Sequence, residues 1–186
     1  MAKFTVGYVI GSLARESINR KLAKALVRLA PADFAMVEIT WKDLPFYSYD
    51  FDKNYPKVAV DFKDAIHGAD GILFITPEYN RSIPGALKNA IDWASRPYGK
   101  NAFDKKPAAV IGASIGAIGT AVAQQHLKGV LGYCNMRLMN SPEGYITFKP
   151  DLIADDGTVN VESTREFLRT YMQAFAAHIQ RCAAAG

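Results

Sequence analysis

Two stretches of this 186-residue sequence gather side chains able to hold an anion or a flat ring. The first, Gly11-Ser12-Leu13-Ala14-Arg15-Glu16-Ser17-Ile18-Asn19-Arg20, offers hydroxyls at Ser12 and Ser17, an amide at Asn19 and a guanidinium at Arg15. It runs into a helical pattern whose first N–H groups have no partner within the helix. Such donors suit a phosphate monoester. The charges point the same way: Arg15, Arg20 and Lys21 stand at the positive end of the helix dipole, where carboxylates are the usual occupants, and a bound anion would resolve the conflict. The plainer alternative is that Ser17 caps the helix and the basic side chains are solvated. The stretch has neither the G-x-G-x-x-G of dinucleotide folds nor the G-x-x-x-x-G-K of P-loops, so neither is a first reading.

The second stretch, Thr76-Pro77-Glu78-Tyr79-Asn80-Arg81-Ser82-Ile83-Pro84-Gly85, sets two prolines and a glycine around an aromatic ring and several polar groups. Prolines fix φ and lower the entropy of a free loop, which holds its backbone donors ready for a planar ligand. Alternatively, Tyr79 packs and Glu78 is a solvated charge. Asn80-Arg81-Ser82 also matches a glycosylation sequon, a chance match without a secretory signal.

The remaining reactive residues read as structural. His67, His126 and His178 stand alone without metal-ligand spacing, and no metal site is expected. Asp92 and Trp93, inside a helical pattern, orient or pack rather than catalyse. Cys134 and Cys182 form no C-x-x-C, are too few for a disulfide-stapled fold, and suit a reducing cytoplasm.

With 22 Lys plus Arg against 18 Asp plus Glu, the net charge of +4 favours anionic ligands. No run of five like charges exists to make a nucleic-acid platform. Lys3 followed by the apolar Phe4 to Ile10 faintly suggests a signal peptide, but Gly11, Ser12, Arg15 and Glu16 arrive too early. Pro107 to Leu127 is uncharged over a length that could span a membrane, yet Gly112, Gly116, Gly119, Gln124, Gln125 and His126 make it poorly apolar. A buried strand, a glycine loop and a helix start explain it better, so no membrane partner is expected.

Elements able to position these loops alternate along the chain. Thr5 to Ile10 reads as a strand buried on both faces, followed by a helix with Ile18, Leu22, Ala25, Leu26 and Leu29 on one side and Pro31 after it. Phe34 to Ile39 is a second strand, Pro45 to Pro56 a loop, and Phe62, Ala65 and Ile66 mark a helix ending at Gly68. Gly71 to Thr76 is a strongly apolar strand stopped by Pro77, and Leu87, Ala90, Ile91 and Ala94 give the next helix. Ala108 to Ala113, the loop Ser114 to Gly119, a helix through Leu127, Val130 and Leu131, and a strand near Arg137 to Met139 follow. The last helix starts at a capping box, Ser163-Thr164-Arg165-Glu166, with Leu168, Tyr171, Met172, Phe175 and Ile179 as its buried stripe. Alternating strands and helices imply one α/β domain over residues 1–186, a parallel sheet wrapped on both faces, with ligands at the carboxyl ends of the strands.

The motifs GS-x-x-x-x-S-x-N at Gly11 and TPEYN-x-S-x-PG-x-LKNAIDW from Thr76 to Trp93 resemble the NADPH-dependent FMN reductase family, and within it the bacterial quinone and chromate reductases. The resemblance implies a three-layer flavodoxin-like fold with a doubly wound five-stranded parallel sheet in the order 2-1-3-4-5. It implies FMN as cofactor and NADPH or NADH as electron donor, with the phosphate held by Ser12, Arg15, Ser17, Ile18 and Asn19. The ring would lie along Pro77, Glu78, Tyr79, Asn80 and Arg81. Ser114-Ile115-Gly116-Ala117-Ile118-Gly119 resembles the segment closing the other edge of the flavin, which implies Ser114 and Gly116.

Two departures from the family pattern stand out. Ala14 occupies a place where relatives often carry a basic residue, and Arg81 one where some carry an aromatic. The flavin would bear the chemistry, with no catalytic protein residue beyond Arg81 as a tuning or substrate-facing group. Quinones and chromate-like anions are the implied acceptors. Homodimers pairing into homotetramers are implied too, with Phe46, Tyr47, Tyr49, Phe51 and Tyr55 as a contact surface or a flap over the core. Rival readings are a flavodoxin-type carrier passing single electrons, against which the basic charge argues, a degenerate flavin-free module, and an FMN-dependent azoreductase.

Overall fold

Five consecutive buried residues form β3 (Gly71–Ile75), the middle of the sheet in the computed structural model, which describes residues 3–185. β1 (Phe4–Ile10) and β4 (Pro107–Ser114) pair with it on either side, and β2 (Phe34–Glu38) lies beyond β1. All pairings are parallel, and the expected order is the one observed: β2-β1-β3-β4-β5, with β5 at Arg137–Leu138.

The count of five strands needs correction. β5 pairs with Pro107 and Ala108, whereas β6 (Gly144–Thr147) pairs with β4 from Ile111 to Ser114. Two short strands in succession therefore fill one edge position. The ladder breaks between them, where Pro142 has no N–H to contribute.

Because β-strand side chains alternate, each buried strand feeds two cores. Val6, Leu73, Ile75, Ala109 and Ile111 pack under α1 (Ile18–Leu29) and α5 (Glu162–Ala184). Ile72, Phe74, Ala108 and Val110 pack under α2 (Lys57–His67), α3 (Gly85–Ser95) and α4 (Ala121–Tyr133). Leu22, Leu26, Leu168, Tyr171 and Phe175 are fully buried in the first core, each contributing about 1.5–3 kcal/mol by burial.

The capping box at Ser163 does not form. α5 starts at Glu162, and its N-cap residue, Val161, makes no side-chain cap bond. Ser163 is thus already helical, and Glu166 turns to Arg169 while Glu162 pairs with Arg165.

Most of the aromatic loop folds inward. Tyr47, Phe51 and Tyr55 surround the buried Trp93 at centroid distances of 5.2, 5.3 and 5.0 Å, around a 3₁₀ turn at Tyr49–Lys53. Trp93 Nε1 donates to the Pro45 carbonyl at 2.7 Å, pinning the flap. Only Phe46 and Tyr49 of the five remain exposed.

Candidate functional site

The loop after β1 turns tightly on its own hydroxyls. Ser12 is buried, and its Oγ accepts from Ala14 N at 3.3 Å. Ser17 is the N-cap of α1, accepting from Asn19 N at 3.2 Å. Ile18 is the first helical residue and half-buried, so its N–H has no carbonyl partner inside the helix. No acidic residue occupies the first turn of α1.

Two of the three cations at this helix start are answered from within the chain. Arg20 pairs with Glu38 at 3.0 Å and Lys21 with Asp155 at 2.7 Å, which corrects the expectation that an outside anion must balance them. Arg15 is exposed, and among the described residues it makes no ion pair.

Asn19 points away from solvent. It is 1% exposed; its Nδ2 donates to Ala113 O and its Oδ1 accepts from Ala113 N, both at 2.9 Å. The side chain that the motif places at a phosphate thus braces the end of β4. It positions Ser17 and the helix start rather than offering a free amide.

In the loop after β3, Pro77 is buried, and its carbonyl accepts from Thr76 Oγ1 at 2.8 Å. Tyr79 and Ser82 exchange two backbone hydrogen bonds of 2.9 Å each. Between them Asn80 and Arg81 take φ of 50° and 64°, a two-residue turn with both central residues left-handed. Tyr79 is about half exposed, and Asn80 and Arg81 are exposed.

Glu78 is not the solvated charge of the plainer reading: its side chain is 7% exposed. One oxygen accepts from Arg81 at 3.1 Å, and the other accepts from Ala123 N in the first turn of α4 at 3.0 Å. A carboxylate is favoured at that end of the helix dipole.

Ser114 Oγ accepts from Gly116 N at 3.1 Å, curling the loop after β4, with Gly116 exposed at its tip. Phe148 N donates to Ser114 O at 2.8 Å, and Thr147 Oγ1 donates to Ala117 O at 3.1 Å. These props come from β6 and its exit. The signal for them in the sequence is the short Tyr-Ile-Thr run between Gly144 and Pro150.

The three loops are knitted to one another. Gly11 N donates to Ile75 O at 2.8 Å and Thr76 N to Ile111 O at 3.0 Å. A Cβ at Gly112 would lie 2.1 Å from Thr76 O and 2.3 Å from Thr120 Oγ1, so only glycine lets those backbones approach. Beside them, His126 Nδ1 lies 3.2 Å from Ser82 Oγ, and a groove of about 760 Å³ runs between α3 and α4 past Ser82, Ile91 and Val130.

Chemically, the site joins hydroxyls, the Ile18 N–H at the helix start and the Arg15 guanidinium, without an ion pair among the described residues, at one corner to a stiff turn and an exposed glycine tip at the other loops. That donor set fits a phosphate monoester attached to a planar ring, and FMN is such a molecule. The first turn of α1 contributes no carboxylate to this corner, while Glu16 and Asp155 line the cleft beside Arg15, Ser17 and Ile18, with Asp155 paired to Lys21.

The family model for NADPH-dependent FMN reductases matches residues 4–151. A 2-hydroxy-1,4-benzoquinone reductase of Burkholderia sp is 50% identical over 175 residues, covering 94% of this chain and 96% of that one. A quinone reductase of Pseudomonas putida is 43% identical over 178 residues, 95% of each. Among solved structures, FerB, a flavoenzyme NAD(P)H:(acceptor) oxidoreductase from Paracoccus denitrificans, superposes with a TM-score of 0.92 at 44% identity, covering 96% and 98% of the two chains.

Proposed function

The chain belongs to the NADPH-dependent FMN reductase family, and we propose that its three loops hold FMN by the monoester at the start of α1. It is an FMN-dependent NAD(P)H oxidoreductase that reduces quinones. Within this reading, Ser12, Arg15, Ser17 and the N–H of Ile18 bind the phosphate, and Asn19 holds them in place through Ala113. Pro77, Glu78, Tyr79, Asn80 and Arg81 flank the ring on one edge, and Ser114 and Gly116 on the other.

When bound, FMN supplies the capacity to take up a hydride equivalent and pass two electrons to an acceptor. The protein's part is placement. The Tyr79–Ser82 turn and the Ser114–Gly116 curl are held by hydrogen bonds within the protein, which lowers the ordering cost of binding. Exposed Tyr79 and Ile115 give a flat acceptor apolar surface to stack against.

The observation that carries the reading is the anion corner: a Ser17-capped helix start with no acid in its first turn and Arg15 left unpaired among the described residues. Chromate-like anions belong to the acceptor range in this proposal, supported by the basic net charge of +4. Assembly as a homodimer or homotetramer is proposed as well, supported by the open groove between α3 and α4. A cytoplasmic location is proposed from the two free cysteines; among the described residues no helix is long and apolar enough to cross a membrane.

The test is direct. The purified chain supplied with FMN should oxidise NADPH or NADH when 1,4-benzoquinone is added, with hydroquinone formed in equal amount. A chain that takes up FMN but reduces no free quinone would contradict the proposal.

A further inference from the structure

Arg81 occupies a backbone position that does not suit it. The turn closed by Tyr79 and Ser82 needs both central residues at positive φ, and asparagine accepts this while arginine, with its Cβ, does so at a cost. Glycine at that place would carry no such penalty. The strain sets a guanidinium on the rim of the loop that flanks the ring.

Among the described residues the guanidinium is held at one end only. Arg81 NH1 bonds Glu78 Oε1 at 3.1 Å, while Glu78 Oε2 is taken by Ala123 N at 3.0 Å. The carboxylate is thereby shared between a helix terminus and one guanidinium nitrogen. The Arg81 side chain stays 70% exposed against 7% for Glu78, which leaves the other N–H donors of its fork open to solvent beside the half-exposed Tyr79 ring.

We propose that Arg81 makes this protein selective for acceptors that carry a negative charge on or beside the reducible ring, such as ionised hydroxyquinones and quinone sulfonates. The inference rests on the reading above and adds the charge of the substrate to it. The acceptor gains two electrons from NAD(P)H and two protons, one accompanying the hydride equivalent and one from solvent. Arg81 stays protonated throughout and transfers nothing.

The test compares binding and turnover in the FMN-loaded protein and its Arg81→Gln, Arg81→Gly and Arg81→Lys variants. Arg81→Gly suits the observed φ of 64° and guards against a turn that fails to form. Naphthalene-2-sulfonate and its neutral counterpart 2-naphthalenemethanol, neither of them reducible here, are titrated into the oxidised protein through the flavin absorbance. The preference for the sulfonate should fall about fivefold in the Gln and Gly variants, the factor one partly screened charge pair supplies, and should be largely kept in the Lys variant. The kcat/KM ratio of 1,2-naphthoquinone-4-sulfonate to 1,2-naphthoquinone should fall alongside, and added salt should narrow the difference.

An unchanged preference in Arg81→Gln and Arg81→Gly would overturn the inference. A rise in KM for NADPH alone, with the sulfonate preference intact, would overturn it too by giving Arg81 to the nucleotide phosphate. Either result leaves FMN uptake and reduction of neutral quinone by the unsubstituted chain standing, whereas failure of those two contradicts the reading beneath.

Discussion

Asn19 grips Ala113 by both of its backbone groups, with two hydrogen bonds of 2.9 Å that join the first turn of α1 to the end of β4. Ser17 and Ser114, on the two loops facing the proposed flavin, are each within two residues of this clasp. The geometry of the anion corner therefore depends on a contact made within the protein, between α1 and β4.

Replacing Asn19 by alanine leaves a buried N–H and a buried C=O at Ala113 without partners. The expected cost is about 2–4 kcal/mol of folding stability, together with weaker FMN binding at temperatures where the chain is folded. Urea denaturation of the apo chain and a fluorescence titration with FMN measure the two effects. Wild-type stability in Asn19→Ala would show that the clasp does not hold the loops.

Gly112 and Gly129 should answer the same substitution with opposite signs. An alanine Cβ at 112 meets Thr76 O at 2.1 Å and Thr120 Oγ1 at 2.3 Å, so the loops after β3 and β4 must part, at about 1–3 kcal/mol. At 129, inside α4, a Cβ has nothing within 4 Å, and removing a helical glycine should add up to ~1 kcal/mol. Thermal unfolding of the two variants checks the signs, and FMN affinity should drop only in Gly112→Ala.

Alkaline pH should loosen the fold through its buried tyrosines. Tyr171 is fully buried and donates to Val110 O at 2.8 Å, and burial raises its pKa above the ordinary 10.0. Tyr55, whose hydroxyl donates to Trp93 O at 2.5 Å and lies 3.0 Å from Arg96 O, is raised for the same reason. The unfolded chain loses these protons first, so their stabilising contribution is complete below pH 10 and shrinks as pH climbs above it. Each group gives a slope of about 1.4 kcal/mol per pH unit. Buried Lys63 and half-buried Lys106, whose pKa values desolvation lowers, act in the opposite sense just below 10.5. Comparing Tyr171→Phe with the parent isolates one tyrosine: urea midpoints between pH 9 and 11 should fall less steeply in the variant. Parallel curves would contradict the assignment.

Local patterns carried the fold into view, and long-range partners stayed hidden. GILFI reads as a strand covered on both faces because all five residues are apolar, and it is one. The strand order follows from the family resemblance and holds. The clasp of Asn19 was not legible, because an amide next to a helix start serves equally well for a ligand or for a strand far along the chain. The same limit applies to Arg20 and Lys21, whose carboxylates come from Glu38 and Asp155. The plainer reading of Glu78, a solvated charge, fails because nothing nearby in sequence marks Ala123 N as its partner. Ser163 to Glu166 carries a start signal that the chain overrides by entering the helix at Glu162. β6, four residues on a sheet edge, is too short for alternation to show in the sequence.

The most direct test of the account is to titrate the apo chain with FMN and with riboflavin, which differ only in the phosphate. FMN should bind at least about a hundredfold more tightly, as two or more charge-assisted hydrogen bonds require. Arg15→Ala combined with Ser17→Ala should erase most of that margin while leaving riboflavin affinity in place. Equal affinity for the two flavins, or a margin untouched by the double substitution, would contradict a phosphate gripped at the start of α1.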